Sequence, residues 1–415
     1  MLTLSITLSS AICSRASAQQ LEPVDFASLG TLDLTSGSYT IDTDTLTIFN
    51  DAAPGTPLFT GVVDDQNGEA DYSNGNWVPG TQGIPEIAVF TFDQIDLGAA
   101  ASVNITGTRA IALLSRGNAT IGTPLSVDGA DASLNGTGSA GAGGFNGGGF
   151  APTAQAGDGP GGGEATFVFG SFNDGRAGAG SFGGSGVKPA ITGGNGDPGP
   201  TYGDLTSRLQ GGSGGGANAI NTGDTSGTVG GGGGGAIELG AAGILAIDAD
   251  VRARGGDRTG EAGAGSGGGI RVHASQVQLD ADLIARGGGA SSTIEPNLGG
   301  GGRIYVVGDT ASQFVYALGE PAPVSFDAFP HLDVRPGLQG DGTVPSDATL
   351  DNFGVLTISP GLTIVPTGES LSFGQVIDAS GPDIKLEVLP FDARVLDGGE
   401  ADIGGGLTTA ASQEI

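Results

Sequence analysis

What this chain of 415 residues has little of narrows its class before any pattern is read. Its one cysteine, Cys13, and its one methionine, Met1, both stand near the start, so the rest carries no disulfide and no easily oxidised sulfur. Only two lysines occur, Lys188 and Lys385, and 45 acidic residues outweigh 15 basic ones for a formal charge of −30. No basic cluster interrupts that excess, which argues against nucleic acid as a partner, because binding it requires a positive footprint. One tryptophan and five tyrosines leave little to line an oligosaccharide groove. With two histidines, His273 and His331, there is no H-E-x-x-H zinc motif, and no glycine run is followed by Lys-Ser/Thr as a phosphate loop requires. Apolar runs are too short to span a membrane.

Glycine, by contrast, supplies 83 residues, and since no Gly-X-Y period organises them collagen is excluded. The glycines frame a repeat. Between Gly230 and Val306 a glycine run, a strand-like segment, a second such segment and more glycines recur, with Ile237, Ile270 and Ile304 spaced by 33 and 34 residues. Asp248-Ala249-Asp250 returns 32 residues on as Asp280-Ala281-Asp282. Ile247, Ala249, Val251 and Ala253 share one parity and Asp248, Asp250, Arg252 and Arg254 the other, a period of two that predicts strand. Such a strand pair buries too little apolar area alone, but copies stacked at the sheet spacing share a continuous core, which predicts a β-solenoid.

Stacking makes equivalent outward residues neighbours. It puts Glu238 beside Arg271 and Arg271 beside Tyr305, with His273 on the same outward parity, at the surface. It also puts Asp248 beside Asp280 and Asp250 beside Asp282, a like-charge ladder. These four aspartates are the candidate calcium site of the chain; the competing expectation is a solvated acidic face flanked by Arg252, Arg254 and Arg286, with no cofactor at all.

Along the chain, residues 1–18 end in Ala16-Ser17-Ala18 and predict a secretory signal peptide cleaved before Gln19. Residues 19–312 then form the solenoid, with Ile87–Phe92 and the short runs between Val103 and Val127 as strands. Long glycine-rich loops insert at about 130–229, notably Gly138–Gly163 and Asn173–Val229, thrown out from the solenoid and packed by their own backbone hydrogen bonds, with disorder as the competing expectation. The segment 51–83 is a loop with Trp77 anchoring it or offering a platform to sugar. Residues 313–336 are a connector, 337–392 a set of C-terminal β coils or a small β domain, and 393–415 a flexible tail. Gly211–Gly215 matches G-x-S-x-G around Ser213, but no strand precedes it and no helix follows, so the match is discounted as a nucleophile elbow.

Gly230–Gly256 and Gly265–Gly288, with the G-x-G-x-V…L-x-N-x-G-x-L…P-G sequence of Gly340–Gly361, resemble glycine-rich secreted bacterial surface proteins. They are similar to the β-helical passenger regions of autotransporter-type adhesins and to exported proteins bearing a sorting tag. The resemblance implies an all-β fold, a right-handed parallel β-helix, exposed outside the cell. The expected function is a secreted, non-enzymatic cell-surface or matrix protein, adhesin-like, meeting extracellular polysaccharide or cell-surface components. The alternative is a polysaccharide lyase or glycoside hydrolase on the same scaffold, its carboxylates drawn from the aspartate ladder.

Overall fold

A computed structural model describes residues 20–66, 86–132, 138–149, 153–167, 176–187, 196–219, 227–289 and 298–308, with short segments at 313–316, 332–333, 336–337, 355–358, 363–366, 373–378, 393–396 and 400–403. The expected signal peptide, Trp77 and His331 lie outside the described residues. A one-turn 3-10 segment at Pro23–Asp25 leads into β1 (Thr31–Asp42), β2 (Thr47–Asn50), β3 (Pro57–Thr60) and β4 (Val62–Asp64). The pairs β1–β2 and β2–β3 are antiparallel, and β4 runs antiparallel to β5 (Ile87–Phe92). Next, β6 (Gln94–Thr106) lies parallel to β1, while β7 (Ala110–Ser115) and β8 (Ala119–Ile121) pair in parallel with β5 and β6. After β9 (Leu125–Ser126), three two-residue strands, β10 (Thr166–Phe167), β11 (Asn218–Ala219) and β12 (Gly227–Thr228), make a small separate sheet.

The repeat follows as β13 (Ala236–Ile247), β14 (Val251–Arg252), β15 (Gly269–Leu279), β16 (Leu283–Ile284), β17 (Arg303–Gly308) and β18 (Gln313–Tyr316). The last strands are β19 (Leu332–Asp333), β20 (Val355–Ile358), β21 (Thr363–Pro366), β22 (Phe373–Asp378) and the antiparallel pair β23 (Ala393–Leu396) and β24 (Glu400–Ile403). Among the described residues there is no α-helix, and no helix is long and apolar enough to cross a membrane.

The repeat register is as the isoleucine spacing predicts: Ile111, Ile237, Ile270 and Ile304 lie side by side, as do Ala119, Leu245 and Val277. These rows, with Leu32, Leu97, Ile121 and Leu279, form the main core. The expected right-handed parallel β-helix is nevertheless not what the chain builds. A parallel β-helix pairs its strands in one direction only, whereas here the antiparallel pairs β1–β2, β2–β3, β4–β5 and β23–β24 belong to the same 17-stranded sheet as the parallel rungs. The result is an all-β fold on a mixed sheet that is nearly closed into a barrel. The repeat misleads because it samples only the parallel middle of the sheet, while the antiparallel pairs lie outside it.

Two further differences have physical causes. The alternation Ile247–Ala253 predicts one strand, but β13 ends at Ile247 and β14 begins at Val251 in a second, four-stranded parallel sheet of β9, β14, β16 and β19. Asp248–Asp250 and Asp280–Asp282 are therefore corners; parity survives a corner, so alternation alone cannot reveal it. Secondly, β5, β7 and the first halves of β13 and β15 are buried on both faces, which is why IAVFTF and AIALL are continuous apolar runs rather than alternating ones. Their second face meets Leu21, Phe26, Phe182, Leu205 and Leu209.

The glycine-rich insertions are not loops thrown out from the body. Many of their described residues are buried and packed side by side, although Gln155, Ala156 and most of 201–208 are exposed, and the hydrogen bonds show the geometry. Along Gly230–Gly235 the successive N–H groups donate to Gly148, Gly263, Ala130, Phe145, Ser266 and Val127 at 2.7–3.1 Å, so every third residue returns to the same neighbouring segment. A three-residue turn is the period of the polyproline-II helix, which makes no internal hydrogen bonds and so leaves each donor free for a neighbour. Segment 211–216 repeats the scheme in part, with Gly212 and Gly215 both donating to the 230–235 segment, while Gly211 donates to Gly143 and Gly214 to Asp158. Only glycine allows this spacing: a methyl on Gly230 would fall on the Gly215 carbonyl oxygen, and one on Gly233 on that of Gly212.

Candidate functional site

Among the described residues, two places that gather chemistry-bearing side chains lie on the repeat. The first is the corner that carries the aspartate ladder. Asp248 and Asp280 are exposed and close enough to influence one another: partial burial, and then the neighbouring Asp280 charge, raise the Asp248 carboxyl above its usual 3.8. Asp250 and Asp282 are half-buried, and the Asp250 carboxylate accepts the backbone N–H of Asp282 at 3.3 Å. The same service is rendered along the second sheet: Asp128 accepts the Arg254 N–H at 2.7 Å, Asp131 the Asp257 N–H at 2.9 Å, and Asp257 the Gly289 N–H at 2.7 Å. Here aspartate side chains close the backbone hydrogen bonding between successive rungs. Arg252, expected to neutralise the ladder, instead forms an ion pair with Asp128 at 2.5 Å. Among the described residues, no three or more His, Cys, Asp or Glu side chains are grouped so as to hold a metal ion.

The second place was not anticipated. Glu238 on β13 and Arg271 on β15 are neighbours in register, as stacking predicts, but they and His273 face the second buried layer and not solvent. Glu238 and Arg271 are wholly buried and His273 is 3% exposed. Arg271 Nη1 donates to Glu238 Oε2 at 3.1 Å, and its Nε and Nη2 donate to the Leu205 carbonyl oxygen at 3.0 and 2.5 Å. Glu238 Oε1 accepts the Leu21 N–H at 3.0 Å, and His273 Nε2 approaches the same oxygen to 3.0 Å. Burial alone pushes the Glu238 carboxyl up, but Arg271, His273 and the Leu21 N–H together hold it below the ordinary 4.5. Gly240, opposite His273 in the register, leaves the space into which the imidazole lies. The sequence signal for this layer was the unbroken apolar character of β5 and β7, which requires a cover on the second face.

Ser213, the serine of the G-x-S-x-G match, is fully buried in the glycine layer. Its Oγ donates to the Tyr202 hydroxyl at 2.9 Å and accepts the Gly161 N–H at 3.0 Å, and its own N–H meets Ser266 Oγ at 2.8 Å. Burial pushes the Tyr202 hydroxyl far above its usual range, against the Ser213 hydrogen bond and the Arg303 charge, so Tyr202 is no base for that serine. No family model, curated protein or solved structure matches this chain. The geometry alone therefore bears on what it does.

Proposed function

We propose that this is a secreted, non-enzymatic structural protein of the cell surface or extracellular matrix, adhesin-like, which meets polysaccharide or other surface components. One observation carries the preference for a scaffold over a lyase or hydrolase: along the edge that bears the aspartate ladder, carboxylates are engaged in building the fold, Asp250 of the ladder among them, while Asp248 and Asp280 stand exposed. Asp128, Asp131, Asp250 and Asp257 each accept a backbone N–H from the next rung, and Arg252 is held by Asp128. A glycoside hydrolase needs two carboxyls at a set separation with free access to a sugar ring. The polar outer rows of the sheet, such as Asp33 beside Asp96 and Thr120, offer instead a broad acidic face that keeps a protein soluble outside the cell. The leader expected at 1–18 supports export.

The test is to incubate the purified chain with a panel of neutral and acidic polysaccharides, recording retention on immobilised polymer and release of unsaturated or reducing ends. Retention without release is expected. Release that disappears in Asp248→Ala or Asp280→Ala would establish an enzyme and overturn the proposal.

A further inference from the structure

Two segments lie over the outer face of the main sheet, 20–28 and 202–209, and one carboxylate ties both to it. The first segment buries Leu21, Pro23 and Phe26 against Ile87, Val89, Ala112 and Leu114, and its Leu21 N–H ends on Glu238. The second buries Leu205 and Leu209, and the Leu205 carbonyl takes two donors from Arg271, itself paired with Glu238. Around 20–28 the remaining polar ties are peripheral: Arg116 donates to the carbonyls of Pro23 and Phe26. The strands beneath do not depend on the centre, since β13 and β15 are paired along their length and continue into β7 and β17.

We propose that Glu238 is the acid-sensitive latch of this layer: when its carboxylate takes up a proton, the 20–28 segment comes away from the sheet while the strands beneath stay paired. A neutral carboxyl ends the ion pair between Glu238 and Arg271 and weakens the hold on the Leu21 N–H, and breaking a buried ion pair is strongly unfavourable. Opening the layer lets water reach both side chains. The other charged groups facing the centre do not mask this. Tyr305 and Arg303 lie on β17, Asp204 and Arg208 on the covering segment, Glu22 and Asp25 on 20–28 itself, and Arg116 after β7. Arginines keep their charge throughout the acid range, and a histidine can only gain charge as pH falls. Asp204, Glu22 and Asp25 are exposed. Glu238 is thus the buried group among them that acid discharges.

The sign follows from the carboxyl being held below 4.5 in the folded chain. The contribution of Glu238 is complete above the unfolded value and is lost as pH falls through the lower folded one. The experiment is hydrogen exchange of the full chain read by mass spectrometry from neutral pH to about pH 3, with intrinsic rates corrected. Amides of 20–28 should lose protection by roughly tenfold or more in acid while those of β13 and β15 keep theirs. Glu238→Gln should show the same loose segment already at neutral pH. The proposal fails if the segment and the strands lose protection together, or if the segment stays protected until the strands open. Should the variant not fold, the pH series on the native chain decides alone.

Discussion

At Gly240 a hydrogen atom stands where any other residue would place a carbon on the His273 imidazole. Gly240→Ala must push the ring out of its buried place beside Glu238, and overpacking of this kind costs about 1–3 kcal/mol. Chemical denaturation should show that loss in the wild-type background and much less of it in His273→Ala, where the ring is gone; equal losses in both would sever the link between the two residues. A second residue-scale expectation concerns the corner. Because Asp248 is raised by partial burial and by Asp280, its ionised form is disfavoured in the fold above the folded pKa, and that penalty vanishes in acid. Asp280→Asn should therefore bring the Asp248 carboxyl down, followed by NMR titration, and stabilise the chain at neutral pH by a few tenths of a kcal/mol at most, since both groups are exposed. The Glu238–Arg271 pairing was legible from the repeat offset; the burial of that pair was not, because polar residues at alternate positions ordinarily mark a solvated face. Only the apolar runs of neighbouring strands reveal the second layer.

At the scale of elements, the strands and the glycine segments were unequally visible. Strands announce themselves through the side chains they alternate, and the row Ile111, Ile237, Ile270, Ile304 could be written down from spacing alone. A polyproline-II segment of glycine has a period of three but no side chain on which to display it, so Gly230–Gly235 looks the same whether ordered or not. Its order lies in backbone donors that hit three neighbours in rotation. Substitution separates the two states. Gly230→Ala places a methyl on the Gly215 carbonyl and should cost more than about 2 kcal/mol, as forced close contacts in packed interiors do. Gly55, in the turn between β2 and β3, has nothing near where a methyl would stand, and Gly55→Ala should be neutral or stabilise by up to about 1 kcal/mol through the unfolded chain. Denaturant midpoints that shift alike for both variants would mean that the glycine segments are not packed as described. In the core rows, Leu245→Ala should cost about 2–5 kcal/mol.

For the molecule as a whole, the formal charge of −30 sets the expectations. Self-repulsion of so many carboxylates opposes compaction, and screening relieves it, so the melting temperature should rise as monovalent salt goes from low to moderate concentration. Calcium and excess chelator should give coincident melts, because Asp250 of the corner accepts a backbone N–H, Arg252 is held by Asp128, and among the described residues no three or more His, Cys, Asp or Glu side chains are grouped to hold a metal ion. A fall of β signal in chelator would reinstate Asp248, Asp250, Asp280 and Asp282 as ligands. The all-β character and the parallel middle were accessible from periodicity; the antiparallel pairs among β1–β3 and β23–β24 were not, because they occur outside the repeat.

The glycine layer also constrains how such a protein can change over generations. Every missense change of a glycine codon adds at least one carbon, and at positions such as Gly230, Gly233 and Gly263 that carbon has no room. Gradual drift is closed to this part of the chain. Its heredity should proceed by gain or loss of whole segments, in lengths that keep the three-residue rotation in step, while the exposed acidic faces are left to vary one residue at a time.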